Sequence, residues 1–151
     1  MKKYLFLLSF SLISANVFTQ STDTDAIDYF EKYVDICVNH LDKNLPNGFL
    51  RISPTEYVKH YDDGVIVTVE VENKKVFRSG FFVYPRGVDQ AVFYLKGVMF
   101  DLLEKKGLQY HGTPPSGISI YKKQDLWASI QTLDNAGLIV NFARDIIHLL
   151  R

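Results

Sequence analysis

Apolar and polar positions follow two rhythms along this chain, and the switch between them marks the elements. From Asp25 to Lys43, apolar residues return at three- and four-residue steps: Ile27, Phe30, Val34, Cys37, Val38 and Leu41, with Leu45 just beyond. That spacing lines one face of a helix. Thr22, Asp23 or Thr24 can cap it, and the acidic residues at its start suit the positive end of the helix dipole. Asn44-Leu45-Pro46-Asn47-Gly48 then ends it with turn formers. After a short segment, Phe49–Ile52, the run Ser53-Pro54-Thr55-Glu56 has the form of a helix start: a capping serine, a proline in the first turn and a glutamate three residues on. A short second helix is expected over Pro54–Tyr61.

The period then changes to two. Val65, Val67, Val69 and Val71 share one face of a strand, with Thr68 and Glu70 on the other. Glu72-Asn73-Lys74-Lys75 is a polar turn, and Val76–Tyr84 returns as the second arm of a hairpin. Gly80 inside that arm signals a bulge or a close backbone approach. Tyr84-Pro85-Arg86-Gly87 breaks the strand. Asp89–Lys106 reads as a second long helix, apolar around much of its circumference, capped by Asp89 and stopped by Gly107. Gly97 within it costs about 1 kcal/mol of helix propensity, which a close contact with a strand or the first helix would offset.

Gly107–Gly117 is a connection centred on Thr113-Pro114-Pro115-Ser116. Three strands follow, Ile118–Lys122, Leu126–Leu133 and Leu138–Ala143, separated by polar turns. Arg144–Arg151 is a short final helix, with Ile146, Ile147, Leu149 and Leu150 docking on the body. The expected order is α-α-ββ-α-βββ-(α). This is an α+β fold, a mostly antiparallel sheet of about five strands with two main helices packed on it. No sequence repeat is visible.

The first 20 residues have a different character. Met1-Lys2-Lys3 is positive, Tyr4–Ile13 is an uncharged apolar run, and small or polar residues follow. These are the three regions of a secretory signal peptide, and the run is too short for the roughly 20 apolar residues that span a bilayer. Cleavage fits after Ala15, or after Thr19 with Val17 three residues before the cut. The later site leaves Asp23, Asp25 and Asp28 at the start of the mature chain. The expected organisation is a signal peptide over 1–20 and one globular unit over 21–151, exported to the periplasm or beyond. No cysteine stands near the cleavage region, which argues against lipid anchoring, and no stable membrane insertion is expected after cleavage.

Composition narrows the function classes. The chain carries 17 basic and 17 acidic side chains, and loss of Lys2 and Lys3 leaves 15 basic. The basic residues fall in scattered pairs (Lys74-Lys75, Lys105-Lys106, Lys122-Lys123) at turns and helix ends, without the concentrated face that nucleic acid requires. Cys37 is the only cysteine, so no internal disulfide can form, and its place in the helical stripe makes it a buried small hydrophobe. The four histidines are far apart in sequence, and no HExxH, nucleophile elbow or phosphate-binding glycine loop is present. No metal or cofactor is therefore expected.

Two residue sets remain as candidates. His60, Asp62 and His111 are the residues that a small secreted hydrolase would use, since a carboxylate beside an imidazole supports acid–base chemistry. Tyr84 and Arg86 in one proline-containing loop, and Tyr110 and His111 beside another, carry the side chains usual at recognition surfaces. The absence of catalytic motifs favours the second set. The expected function is an exported, non-enzymatic recognition protein that binds another protein, most concretely an inhibitor or immunity protein. A secreted hydrolase and an envelope accessory domain are the alternatives.

Overall fold

A computed structural model describes residues 23–61, 64–84, 89–133 and 137–151. The expected signal peptide, Asp62 and Arg86 lie outside the described residues. The chain forms α1 (Asp23–His40), β1 (Leu50–Arg51), β2 (Glu56–His60), β3 (Ile66–Glu72), β4 (Lys75–Val83), α2 (Asp89–Lys105), β5 (Gln109–Gly112), β6 (Ser119–Lys123), β7 (Leu126–Leu133), β8 (Gly137–Ala143) and α3 (Ile146–Leu150). The eight strands make one antiparallel sheet in the order β1-β2-β3-β4-β8-β7-β6-β5.

The fold is α+β, as the patterning implies, but the sheet has eight strands where about five were expected, and the order is α-ββββ-α-ββββ-α. A helix followed by a four-stranded meander thus occurs twice, and the last strands of the two meanders, β4 and β8, pair at the centre. The added strands are β1, β2 and β5. Residues 54–61 are not a helix. Ser53 Oγ does accept from the Glu56 backbone N–H at 3.1 Å, as a capping serine would. The same turn, however, closes a hairpin, with Ile52 N–H donating to Glu56 O at 3.0 Å. Tyr57, Val58 and His60 then pair with Val69, Thr68 and Ile66. A two-turn helix leaves about half of its backbone groups unpaired, whereas β3 offers this segment a full ladder.

The β3–β4 turn has the expected geometry. Asn73 and Lys74 both have positive φ (52° and 66°), as a two-residue type I′ hairpin requires. The bulge in β4 is at Phe77, because Val76 pairs with Val71 and Arg78 with Glu70. Gly80 marks the close approach instead: a Cβ there would meet Asn141 Oδ1 and stand 2.5 Å from Val140 O. At the end of α2, Gly107 (φ 84°) donates to Glu104 O at 2.8 Å and Leu108 N–H to Leu103 O at 2.9 Å, a Schellman ending.

Both long helices cover one face of the sheet, α1 over β3, β4 and β8, and α2 over β5, β7 and β8. The core lies between them. Phe30, Tyr33, Val34, Cys37 and Leu41 from α1 and Val98, Met99, Leu102 and Leu103 from α2 meet Val67, Val69, Phe81, Val140, Phe142, Ala128, Ile130 and Tyr121 from the strands. Phe30 stacks on Phe81 with ring centroids 6.5 Å apart. The helices are also joined by charge: Lys105 reaches Asp28 and Glu31, and Lys106 reaches Glu31 and Asp35.

The opposite face is covered in part by α3. Leu149 clusters with Ile120 and Ala143, and Ile118, Trp127 and Ile146 pack against that cluster, while Ile147 and Leu150 are exposed, so the final helix docks by two of its four expected apolar residues. Asp145 caps α3 by accepting from His148 N–H at 2.8 Å. Arg78, paired with Glu70, donates to the His148 and Leu149 carbonyls at 3.4 Å.

Two glycines separate crowding from freedom. A Cβ at Gly137 would stand 2.5 Å from Val83 O and 2.8 Å from the Phe82 ring, whereas a Cβ at Gly97 meets nothing within 4 Å. The close contact expected at Gly97 is absent, and the position faces solvent. Gly137→Ala is expected to cost about 1–3 kcal/mol through forced displacement of β4. Gly97→Ala is expected to stabilise by about 0.5–1 kcal/mol. Urea unfolding midpoints of the two variants check both signs.

Candidate functional site

The recognition candidates do not all fall together. Tyr84 follows β4 and packs edge-on against Phe82, with centroids 4.4 Å apart. Tyr110 and His111 belong to β5, the eighth strand position where β4 is the fourth, so about 19 Å separates the two strands at the usual spacing of roughly 4.8 Å. The hydrolase set is still more dispersed. His60 is on β2 and His111 on β5, six strand intervals apart, about 29 Å along the sheet. Among the described residues, no group of three or more His, Cys, Asp or Glu side chains is placed to hold a metal ion.

Tyr110 and His111, by contrast, form a built corner. Residues 109–112 were expected to be loop, but they pair with β6 through Gln109–Lys122, Tyr110–Tyr121 and Gly112–Ile120, leaving His111 as a bulged residue. A bulge re-aims side chains. Tyr110 stands edge-on to Tyr121 at 5.6 Å, and its hydroxyl lies 2.6 Å from Thr113 Oγ1, which in turn is 3.4 Å from Ser119 Oγ. The ring is therefore fixed although 56% of the residue is exposed. Burial, foremost, pushes the Tyr121 hydroxyl up to about 12, with Glu104 adding to the shift.

His111 turns to the other side of β6 and meets the Trp127 ring edge-on at 5.0 Å. Lys122 Nζ lies 4.5 Å from the centre of the same ring, a cation–π distance. Lys122 and Trp127 were not among the candidate site residues expected from the sequence, yet a signal existed. They face each other across the β6–β7 turn, and counting back one pair from Lys123–Leu126 at the turn places them together. Beside this stack is a recess of about 330 Å³, walled by Gln109, Tyr110, His111, Lys122, Lys123 and the Gly107 turn. Lys123 Nζ is held there by Lys106 O at 2.8 Å. At the far side of the molecule a second recess, about 500 Å³, has mostly apolar walls from Leu45, Pro54, Tyr57 and Val71.

A polar cluster also lies under α1. His40 Nδ1 is 3.3 Å from Ser79 Oγ, and Ser79 is fully buried beside Cys37. Burial pushes the Cys37 thiol up to about 12, so it is a protonated core group, as its helical position implied. No family model, curated protein or solved structure matches the chain. Among the described residues, no helix is long and apolar enough to cross a membrane.

This cluster has a pH signature. Burial, foremost, and then Lys43 and Lys59 depress the His40 pKa below the ordinary histidine value. The unfolded chain therefore binds this proton more readily, and the stability that neutral His40 contributes is present above about pH 6.5 and lost as pH falls below it. Asp145 is also depressed, chiefly by the His148 N–H, but its contribution is lost only in the lower carboxylate range. Urea midpoints are expected to fall between pH 7 and 5, with a flatter slope in His40→Gln. An unchanged slope in that variant would sink the assignment. Cys37 is expected to react with a thiol reagent only on unfolding, which a stopped-flow comparison in buffer and in denaturant checks.

Proposed function

We propose that the chain is an exported, non-enzymatic recognition protein that binds another protein through the β5–β6 corner, and that an inhibitor or immunity protein is the most concrete form of this role. The observation that carries the reading is the pre-set state of that corner. Tyr110 is largely exposed but held by the Thr113 hydroxyl and the Tyr121 ring. Trp127 is fixed between His111 and Lys122. Tyrosine and tryptophan dominate binding energy at interfaces, and side chains fixed before contact lose less entropy on binding. The wide separation of His60 and His111 removes support from the hydrolase alternative. Export rests on the N-terminal pattern of Lys2-Lys3, the apolar run Tyr4–Ile13 and small residues after it.

Affinity purification of the tagged chain from its native envelope and culture fluid tests this function. One stoichiometric partner is expected, lost with Tyr110→Ala and retained with Tyr84→Ala. A variant affected by Tyr84→Ala alone would move the surface to the end of β4. Recovery of the chain without any partner under gentle conditions would overturn the proposal.

A further inference from the structure

We infer that the partner segment recognised at the β5–β6 corner is acidic and places a carboxylate in the recess between Lys122 and Lys123. The inference rests on the recognition reading and adds the partner's chemistry. The recess walls supply two ammonium groups, the His111 imidazole, the Tyr110 hydroxyl and the amides of Gln109 and Gln124, and no carboxylate. Several cations elsewhere are paired with acids: Lys105 and Lys106 with those of α1, Arg144 with Asp42 and Asp125, Arg78 with Glu70, and Arg151 with Glu72. Among the described residues, Lys122 and Lys123 make no ion pair.

Both ammonium groups are nevertheless positioned. Lys123 spends one of its three donors on the Lys106 carbonyl, and Lys122 is held on the Trp127 ring. A carbonyl and an aromatic face orient a cation without neutralising it. Consecutive strand residues normally point to opposite faces, and both reach this recess because it opens at the end of β6, against the Gly107 turn. An anion entering here meets fixed charges, which favours association and sets its register. Contiguity decides between a free anion and a protein segment. The recess adjoins the exposed Tyr110 ring and the Trp127 stack, surfaces that a small inorganic anion would leave unused and an acidic peptide with flanking side chains would cover.

Trp127 is the only tryptophan, so its fluorescence reports directly on the site. The tagged full chain is titrated with octaglutamate, octaglutamine and inorganic phosphate, and again as the Lys122→Gln/Lys123→Gln and Lys74→Gln/Lys75→Gln variants, with urea midpoints to confirm folding. Octaglutamate is expected to shift the emission saturably. The midpoint should rise about tenfold in the first double variant, stay in place in the second, and increase with salt. An equal response to octaglutamine, displacement of octaglutamate by an equal concentration of phosphate, or no response to octaglutamate would each overturn the inference. The native capture experiment separates this from the parent reading. A partner lost with Tyr110→Ala but fully retained by Lys122→Gln/Lys123→Gln would preserve recognition and remove the acidic segment. Absence of any captured partner would remove recognition itself.

Discussion

Arg78–Val83 of β4 runs antiparallel to Leu138–Ala143 of β8, and this ladder joins the two helix-plus-meander halves into one sheet. The core depends on it. Phe81, Val140 and Phe142, facing the helices from these two strands, make the floor that α1 and α2 share, since both helices reach β8. Burying such side chains contributes about 1.5–3 kcal/mol each, and they are buried together only when the seam is formed. The pairing is long-range, and the two glycines where it is tightest, Gly80 and Gly137, each sit against the opposing backbone. The seam therefore specifies its own sequence: a Cβ at either position pushes apart the strands on which both helices rest.

Charge is distributed as a second level of fastening around this seam. The lysines at the end of α2 meet the acids of α1, Arg144 ties the end of β8 to Asp42 and to Asp125 in the β6–β7 turn, and Arg78 and Arg151 connect α3 to acids of β3. The exposed pairs contribute little individually, and their value is in register, since they join elements distant in sequence, whereas the partly buried Arg78–Glu70 pair lies within the β3–β4 hairpin. Inside, the polar groups are uncharged in their stable form: a thiol, buried serine hydroxyls and a histidine whose protonation burial opposes. At the β5–β6 corner the cations are oriented by a carbonyl and a ring instead of carboxylates.

The periodic segments were legible because burial on one face leaves a repeating mark. The stripe through Phe30, Val34 and Cys37, the valines of β3 and the Asn73-Lys74 turn all appear where the pattern put them. The errors arose where local chemistry and tertiary pairing disagreed. Ser53 makes its capping bond, but Tyr57–His60 follows the ladder of β3 instead of continuing a helix. β5 has no periodic mark because Gln109, Tyr110 and His111 are all exposed, and its strand state comes from β6. For the site, the sequence marked Tyr110 and His111 as loop aromatics but carried no information on sheet order, so it could not separate them from Tyr84. Their companions Lys122 and Trp127 are a consequence of the β6–β7 register.

The same dependence explains how exposed side chains become fixed at a sheet edge. β5 buries little of itself and takes its position from the β6–β7 hairpin, which is packed on both faces. Tyr121, Ala128 and Ile130 lie under the long helices, while Ile120 and Trp127 contact the α3 cluster on the other side. Rigidity therefore passes outward from the core to an edge that has few buried contacts of its own. Trp127 is the shared element, packed against the Ile120, Ala143 and Leu149 cluster at one end and framed by His111 and Lys122 at the other. A side chain cannot be optimally packed against two independently moving surfaces, since close-packed contacts transmit small displacements. The docking of α3 and the shape of the corner are consequently set together, and the Arg78 bonds to the α3 carbonyls extend that constraint to the central seam.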